Sequence, residues 1–209
     1  MSEIFVTIFE LVGTVAFSIS GAIVAIEKKM DMFGVAILGL IAATGGGVMR
    51  DVIIGNTPPQ AFSDPIYLIV AILTALVVFL PPVRKRLDHK TRGFEISLLV
   101  MDSLGLAVFT VVGIAVTEKI LPDSSGFLLV FVGVLTGVGG GVMRDVIAGI
   151  TPYIFVKHFY ATASIIGAVI CFLLWKYVDH TVGMVLGGVV ILILRLLAAR
   201  FRWELPRAE

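Results

Sequence analysis

The chain has 209 residues, of which 58% are hydrophobic and only 15% are charged, and its formal net charge is +1. Soluble domains are about 45–50% apolar and about 25% charged, and the mean hydropathy of +1.07 lies far from such a composition. These values exclude a soluble enzyme, a disordered chain and a free nucleic-acid-binding protein. They indicate that most of the chain lies within a lipid bilayer.

The residue types that commonly hold metal ions are sparse in this chain. Cys171 is the single cysteine, which excludes an intrachain disulfide and a cysteine metal cluster. The three histidines, His89, His158 and His180, lack metal-ligand spacing. We therefore expect no resident metal centre, no cofactor and no nucleic-acid partner.

Seven apolar stretches are long enough to cross a bilayer, for which a helix needs about 20 predominantly apolar residues. In chain order they are residues 4–26, 33–55, 65–83, 96–118, 127–149, 158–178 and 182–201. No Lys or Arg precedes the first stretch, so we expect a mature span there rather than a signal peptide. The sequence therefore predicts an all-α transmembrane protein with seven helices.

Lysine and arginine are distributed unequally between the loops, and this asymmetry predicts the orientation. With the N-terminus outside, the outer loops hold two basic residues, Lys119 and Lys176. The cytoplasmic side then holds eleven, namely Lys28, Lys29, Arg84, Lys85, Arg86, Lys90, Arg92, Lys157, Arg200, Arg202 and Arg207. We therefore expect an outer N-terminus and a cytoplasmic C-terminus.

An eight-residue motif occurs twice in the chain. Residues 45–52 read GGGVMRDV, and residues 139–146 are identical. Downstream, Gly55, Thr57 and Pro58 align with Gly149, Thr151 and Pro152, and upstream Glu10, Gly13, Phe17, Ser18 and Gly21 align with Asp102, Gly105, Phe109, Thr110 and Gly113. Because each copy contains three spans, the second copy enters the membrane from the opposite side. Two inverted three-helix repeats of this kind are typical of transport proteins.

The repeat divides the chain into three parts. Residues 1–92 form the first three-helix repeat with a basic connecting loop, and residues 93–180 form the second, inverted repeat. Residues 181–209 form a seventh helix and a C-terminal tail, for which the simplest role is packing or oligomer contact.

Each copy of the motif begins with three consecutive glycines near the middle of its span: Gly45, Gly46 and Gly47, and Gly139, Gly140 and Gly141. Each glycine costs a helix about 1 kcal/mol relative to alanine, so we predict that the second and fifth helices are kinked or broken there. Carbonyl groups freed by a break carry partial negative charge, which suits a weakly held cation. The alternative is that the glycines only allow close helix packing.

Charged side chains lie within the predicted spans, where each costs at least about 2.5–3.5 kcal/mol on insertion scales. Similar depths suggest that Glu10 partners Arg50 and that Asp102 partners Arg144. These residues form two groups that each have a formal charge of −1: Glu10, Arg50 and Asp51 in the first repeat, and Asp102, Arg144 and Asp145 in the second. A water-filled path lined by both groups would favour cations over anions. Alternatively, these ion pairs only hold the helices together and no ion passes between them.

Two hydroxyl residues extend these polar positions. Ser18 follows Glu10 and Thr14 at helical spacing, and Thr110 is its counterpart in the second repeat. We predict that this polar face points inward rather than towards lipid. Arg195 lies about one turn from the cytoplasmic end of the last span, and snorkelling towards the headgroups accounts for it.

The doubled motif within two three-helix repeats, followed by a seventh helix, resembles the prokaryotic trimeric intracellular cation (TRIC) channels over about residues 4 to 200. The same repeat is also known as a glycine-transporter domain of UPF0126 membrane proteins. The resemblance implies a homotrimer in the lipid of the prokaryotic inner membrane. Each protomer would contain one pore for K⁺, with Na⁺ also permeant, lined by the kinked second and fifth helices. Animal relatives carry a Lys-Glu-Val tripeptide linked to phosphoinositide binding, and this chain instead has Arg-Asp-Val at 50–52 and 144–146.

Three functions remain open on the sequence. The first is a potassium-permeable cation channel, and the second is a secondary transporter of a small solute such as glycine, since inverted repeats also suit alternating access. The third is a structural or assembly protein without transport of its own. An enzyme is the least favoured class, because the sequence offers no nucleophile–base arrangement and no metal cluster.

Overall fold

The computed structural model of the chain describes residues 3–84, 92–156 and 159–203, and these ranges contain ten helices. In chain order they are α1 (Glu3–Glu27), α2 (Met32–Ile53), α3 (Gln60–Ser63), α4 (Ile66–Phe79), α5 (Pro81–Arg84), α6 (Arg92–Ile120), α7 (Gly126–Ile147), α8 (Tyr153–Val156), α9 (Tyr160–Tyr177) and α10 (His180–Phe201). The predicted all-helical architecture is confirmed.

The two motif-bearing helices begin and end with the same local signals. Asp31 caps α2 and Ser125 caps α7, each accepting the backbone N–H three residues further on, at 2.8 and 3.2 Å respectively. Each helix ends shortly before a glycine with positive φ, Gly55 at +74° and Gly149 at +66°. Glycine adopts this conformation without a Cβ clash and is therefore favoured after a helix end.

Among the described residues, six helices are long and apolar enough to cross a membrane: α1, α2, α6, α7, α9 and α10. Helix α4 lies where the third span was predicted but has 14 residues, about 21 Å at 1.5 Å per residue. The hydrocarbon core is about 30 Å thick. The helix ends because Leu80 precedes Pro81, and a residue before proline is driven out of the helical conformation. The predicted span 65–83 is therefore split into α4 and α5, and seven full-length spans are not confirmed.

The two halves of the chain meet through the first two helices of each half. Helix α1 packs against α2 and α6, and α2 packs against α7, so these four helices form the centre of the molecule. Helix α4 lies against α1 and α2, while α9 lies against α6 and α7. Helix α10 packs on α9 and α6. The additional helix is therefore attached mainly to the second half and makes the two halves unequal.

Both glycine triplets lie inside continuous helices, so the predicted breaks are not observed and the predicted kinks are not confirmed. The triplets instead mark the crossing of α2 and α7. A Cβ atom added at Gly46 would collide with the carbonyl oxygen of Thr136, and one added at Gly140 would collide with that of Ala42. Contact this close offsets the poor helix propensity of glycine. The carbonyl groups of a continuous helix stay in its own hydrogen bonds, so neither triplet supplies the half-helix ends needed for the predicted cation binding.

The crossing also explains why the motif occurs in both helices. A Cβ atom at Gly45 would lie 2.6 Å from the sulfur of Met143, and one at Gly139 would lie 3.1 Å from the sulfur of Met49. Each copy of the motif therefore supplies a methionine that packs on the first glycine of the other copy. The identical sequences fit a reciprocal contact between two equivalent surfaces.

Candidate functional site

Each motif ends in a buried Arg–Asp pair with the same geometry. Arg50 Nε donates to Asp51 Oδ1 at 2.9 Å, and Arg144 Nε donates to Asp145 Oδ1 at 2.8 Å. The second carboxylate oxygen of each aspartate accepts the backbone N–H at the start of the following short helix, from Gln60 at 2.8 Å and from Tyr153 at 2.9 Å. The aspartates therefore anchor the loops after α2 and α7, which is a structural role.

Glu10 is buried near Arg50, but a side chain from α3 lies between them. Glu10 Oε2 accepts the Tyr67 hydroxyl at 2.7 Å and the Gln60 Nε2 group at 3.4 Å. Gln60 Oε1 in turn accepts from Arg50 Nη2 at 3.3 Å. Within the described part of the chain Glu10 and Arg50 form no direct ion pair, so the predicted pairing occurs through Gln60.

Glu10 and Gln60 line both of two cavities. The smaller, of about 40 Å³, is lined by Gly47 and by the polar side chains of Glu10, Thr14, Thr44, Arg50 and Tyr67. The larger, of about 570 Å³, is lined among others by Glu10, Gln60, Glu118, Lys119, Trp175 and His180. A water molecule needs about 10–15 Å³ of such space, so even the smaller cavity is large enough for water or for one monovalent cation.

The corresponding cluster of the second half is tightly packed. Arg144 Nη1 donates to Asp102 Oδ1 at 2.6 Å and also to the Ser20 hydroxyl, and both charged side chains are fully buried. The predicted Asp102–Arg144 pair is therefore confirmed. A Cβ atom at Gly141 would lie 3.1 Å from the Tyr160 hydroxyl, so Tyr160 fills the space that is open beside Gly47 in the first half.

Arg195 points into this second cluster and does not snorkel. The residue is 2% exposed, its guanidinium carbon lies 4.5 Å from the centre of the Tyr160 ring, and its Nη2 lies 4.0 Å from Asp102 Oδ2. The snorkelling interpretation is wrong because depth along a helix does not determine which side of the helix a residue faces. Helix α10 therefore adds a charge to the second cluster as well as packing surface.

Ser18 and Thr110 face inward as predicted, but they bond neighbouring helices and are not among the residues that line the described cavities. The Ser18 hydroxyl donates to the carbonyl of Ala71 in α4 at 2.6 Å. Thr110 donates to the carbonyl of Leu106 at 2.7 Å and shares a hydrogen bond of 2.8 Å with Ser164 in α9. Among the predicted site residues, those lining the smaller cavity are Glu10, Gly47, Arg50 and Asp51.

Sequence reasoning missed the polar residues that follow the motif helices. Gln60 and Tyr67 contact Glu10, while Tyr153 and Tyr160 occupy the same two positions of the second cluster. The signal was available in the repeat, because these pairs share one sequence offset just beyond the aligned prolines. The aligned prolines are 94 residues apart and each of these pairs is 93 apart, so an alignment extended past the prolines places the four residues at equivalent positions only when it includes a one-residue gap.

Comparison with known proteins shows the family. A family model described as "Glycine transporter" matches residues 7–81 and 99–176. The UPF0126 inner membrane protein YadS of Escherichia coli K12 is 39% identical over 201 residues, which cover 94% of this chain and 93% of YadS. A UPF0126 membrane protein of Deinococcus radiodurans is 37% identical over 199 residues, covering 94% of this chain and 89% of the relative. The chain belongs to the UPF0126 family.

Solved structures of TRIC channels share the fold of this UPF0126 protein. One, from a study of conductance through TRIC cation channels, is 36% identical with a TM-score of 0.83 and covers 97% of both chains. A TRIC trimeric intracellular cation channel orthologue from Rhodobacter sphaeroides is 26% identical with a TM-score of 0.86, covering 95% of this chain and 98% of the orthologue. A prokaryotic TRIC channel in 0.5 M KCl is 26% identical with a TM-score of 0.88, covering 98% of this chain and all of that channel.

These comparisons confirm the resemblance drawn from the doubled motif. The chain is an integral membrane protein with the TRIC channel fold. The proteins of similar structure are channels and not enzymes.

Proposed function

We propose that this chain is a monovalent cation channel that conducts K⁺, with Na⁺ as a second permeant ion, through a path within each protomer. The observation that carries the proposal is the position of Glu10, a 6%-exposed acidic residue that lines two cavities. The solved structures with the same fold, described as TRIC cation channels, support it independently.

The charges around the smaller cavity favour cations. The guanidinium of Arg50 pairs with the Asp51 carboxylate at 2.9 Å, which leaves the negative charge of Glu10 to act on the cavity. A cavity whose lining charges sum to one sign, between low-dielectric walls, concentrates counter-ions. The hydroxyl oxygens of Thr14 and Thr44 replace hydration water without binding an ion so tightly that it cannot leave.

In the proposed channel, α2 lines the path on the Glu10 side and α7 lines it on the Asp102 side. Thr44 and Gly47 form a strip of α2 that lines the smaller cavity, with a hydroxyl group at Thr44 and no side chain at Gly47. The equivalent strip of α7 is covered by Tyr160 at Gly141. The described conformation is therefore open at one charge cluster and closed at the other, and conduction requires Tyr160 to move away from α7.

Substitution of Glu10 by Gln tests the proposal. We expect the permeability of K⁺ relative to Cl⁻ to fall by about three- to tenfold, because the charge that concentrates cations is removed. The measurement is the reversal potential of purified protein in planar bilayers under a KCl gradient. Glu95→Gln, which removes an exposed carboxylate near the start of α6, serves as the matched control and should leave the reversal potential unchanged. Silent bilayers from folded wild-type protein across a range of voltages would overturn the channel proposal.

We further propose that the channel is a homotrimer embedded in membrane lipid, with an outer N-terminus, a cytoplasmic C-terminus and α4 as a short seventh crossing. The excess of basic residues in alternate loops supports the orientation, and the Rhodobacter sphaeroides orthologue is described as trimeric. Native mass spectrometry of the detergent-extracted protein should detect three copies. Protease should remove a C-terminal tag only from inside-out vesicles.

A secondary transporter of glycine is the second candidate, favoured by the description of the matching family model. The arginine guanidinium groups are the charge type that a substrate carboxylate requires. Saturable uptake of labelled glycine into proteoliposomes, without unitary currents, would favour this function over the channel.

A further inference from the structure

The helix outside the repeat makes the two charge clusters electrically different. Around Glu10 the formal charges of Glu10, Arg50 and Asp51 sum to −1. Around Asp102 the equivalent set also sums to −1, but Arg195 from α10 brings that total to zero. Because α10 packs mainly on the second half, the Glu10 cluster has no matching arginine among the described residues.

Arg195 approaches the one carboxylate oxygen of Asp102 that Arg144 leaves vacant. Asp102 Oδ1 accepts from Arg144 at 2.6 Å, whereas the buried Oδ2 accepts no hydrogen bond of ordinary geometry from the described part of the chain. Arg195 Nη2 lies 4.0 Å from Oδ2, too far for a hydrogen bond but close enough for charge attraction. The Asp102–Arg195 interaction is therefore a loose ion pair.

The Tyr160 ring fixes the guanidinium group of Arg195 in this position. The guanidinium carbon lies 4.5 Å from the ring centre, within the range of a cation–π interaction. Tyr160 is also the residue that covers Gly141 on α7. One tyrosine therefore contacts both the arginine of α10 and the strip of α7 that corresponds to the open side of α2.

We propose that Arg195 is a tethered cation that occupies the place of a permeating ion at Asp102 and holds the second half of the path closed. A mobile cation and the guanidinium group compete for the same carboxylate. When Arg195 and Tyr160 withdraw together, Asp102 keeps Arg144 on Oδ1 and its Oδ2 becomes a second cation site, in addition to Glu10. This inference rests on the proposed channel function and assigns to the extra helix a regulatory role in addition to packing.

Opposite charge changes at this pair should shift selectivity in opposite directions. We expect Arg195→Gln to raise the K⁺ conductance by about three- to tenfold and to move the reversal potential towards the K⁺ equilibrium potential, because no fixed cation then competes for Asp102 Oδ2. We expect Asp102→Asn to lower the K⁺ conductance and to move the reversal potential away from the K⁺ equilibrium potential, because the positive charge of Arg195 then remains on the path. A purely structural role for the pair would impair both variants alike.

Two further variants make the measurement specific to this charge. Arg195→Lys keeps a cation at the position and should stay near wild type. Arg200→Gln removes a positive charge from an exposed position of the same helix and should leave currents unchanged. Retention of the wild-type oligomer on size-exclusion chromatography is checked for each variant before recording.

The outcomes separate this inference from the channel proposal. If wild-type protein conducts and Arg195→Gln is unchanged or less conductive, the tethered cation is overturned and the channel stands. If Arg195→Gln fails to assemble, an unchanged reversal potential in Asp102→Asn overturns the inference, and a shift away from the K⁺ potential supports it. If folded wild-type protein and all variants are silent, the channel proposal itself fails.

Discussion

Replacement of Arg144 by Met should destabilise the protein by about 3–5 kcal/mol, the usual cost of leaving a buried charge without its partner. Arg144 donates to Asp102 at 2.6 Å and to Asp145 at 2.8 Å, and all three side chains are fully buried. Methionine preserves much of the volume, so the loss arises from the two carboxylates, which lose their close guanidinium partner. Asp102 keeps Arg195 at 4.0 Å, and Asp145 keeps the Tyr153 backbone N–H. Thermal unfolding of the purified protein in detergent, together with the yield of folded oligomer, measures the effect.

The repeat supplies the matched control for this substitution. Arg50 makes the same Nε contact with Asp51 at 2.9 Å, but it borders a cavity and pairs with one carboxylate in the described part of the chain, whereas Arg144 pairs with two. Arg50→Met should therefore cost less, about 1–3 kcal/mol for a charged hydrogen bond. Adding Asp102→Asn to Arg144→Met should recover part of the loss, because it removes one unpaired charge. Equal losses of unfolding free energy at positions 50 and 144 would contradict the difference between the two clusters, in which Arg144 is tightly packed and Arg50 borders a cavity.

Substitution of Gly46 or Gly140 by Ala should weaken the contact between α2 and α7, with a loss of about 1–3 kcal/mol in each case. The added methyl group would meet a backbone carbonyl, that of Thr136 or of Ala42. A backbone atom cannot turn aside as the end of a flexible side chain can, so the two helices must separate. The unfolding temperature of each variant in detergent gives the loss.

Gly47→Ala is the control for the crossing. The nearest atom to a Cβ at Gly47 is Arg50 Nη2, at 3.9 Å, which is ordinary contact. The better helix propensity of alanine should therefore stabilise α2 by up to about 1 kcal/mol. If alanine at positions 46, 47 and 140 changes the unfolding temperature by the same amount, the second glycine of each triplet is not required for the close approach of α2 and α7.

The continuous helices change how the proposed channel attracts cations. A broken helix would have offered carbonyl oxygens at mid-membrane, whereas α2 and α7 keep theirs in helical hydrogen bonds. In the proposed channel the negative charge comes instead from carboxylates, Glu10 in the open cluster and Asp102 in the closed one. Selectivity should therefore respond more to Glu10→Gln than to any substitution of the triplets that preserves packing.

The sequence by itself determined the long membrane helices and the repeat. The length of an apolar stretch can be read directly from the sequence. The ends of most predicted spans therefore agree with the ends of the long helices to within a few residues. The doubled motif located both Arg–Asp pairs, and counting residues inward from the span ends identified Arg144 as the partner of Asp102. These inferences need only depth in the membrane, which a linear sequence provides.

The tertiary structure alone decided the role of the glycines, the partners of Glu10 and the direction of Arg195. A penalty of about 1 kcal/mol per glycine predicts a break only if nothing packs against it, and the crossing at Gly46 and Gly140 is a contact between residues far apart in the chain. Gln60 and Tyr67 reach Glu10 only after α3 and α4 fold back onto α1. Arg195 meets Asp102 because packing fixes the rotation of α10 about its axis, and the linear count of residues from the membrane surface carries no information about that rotation.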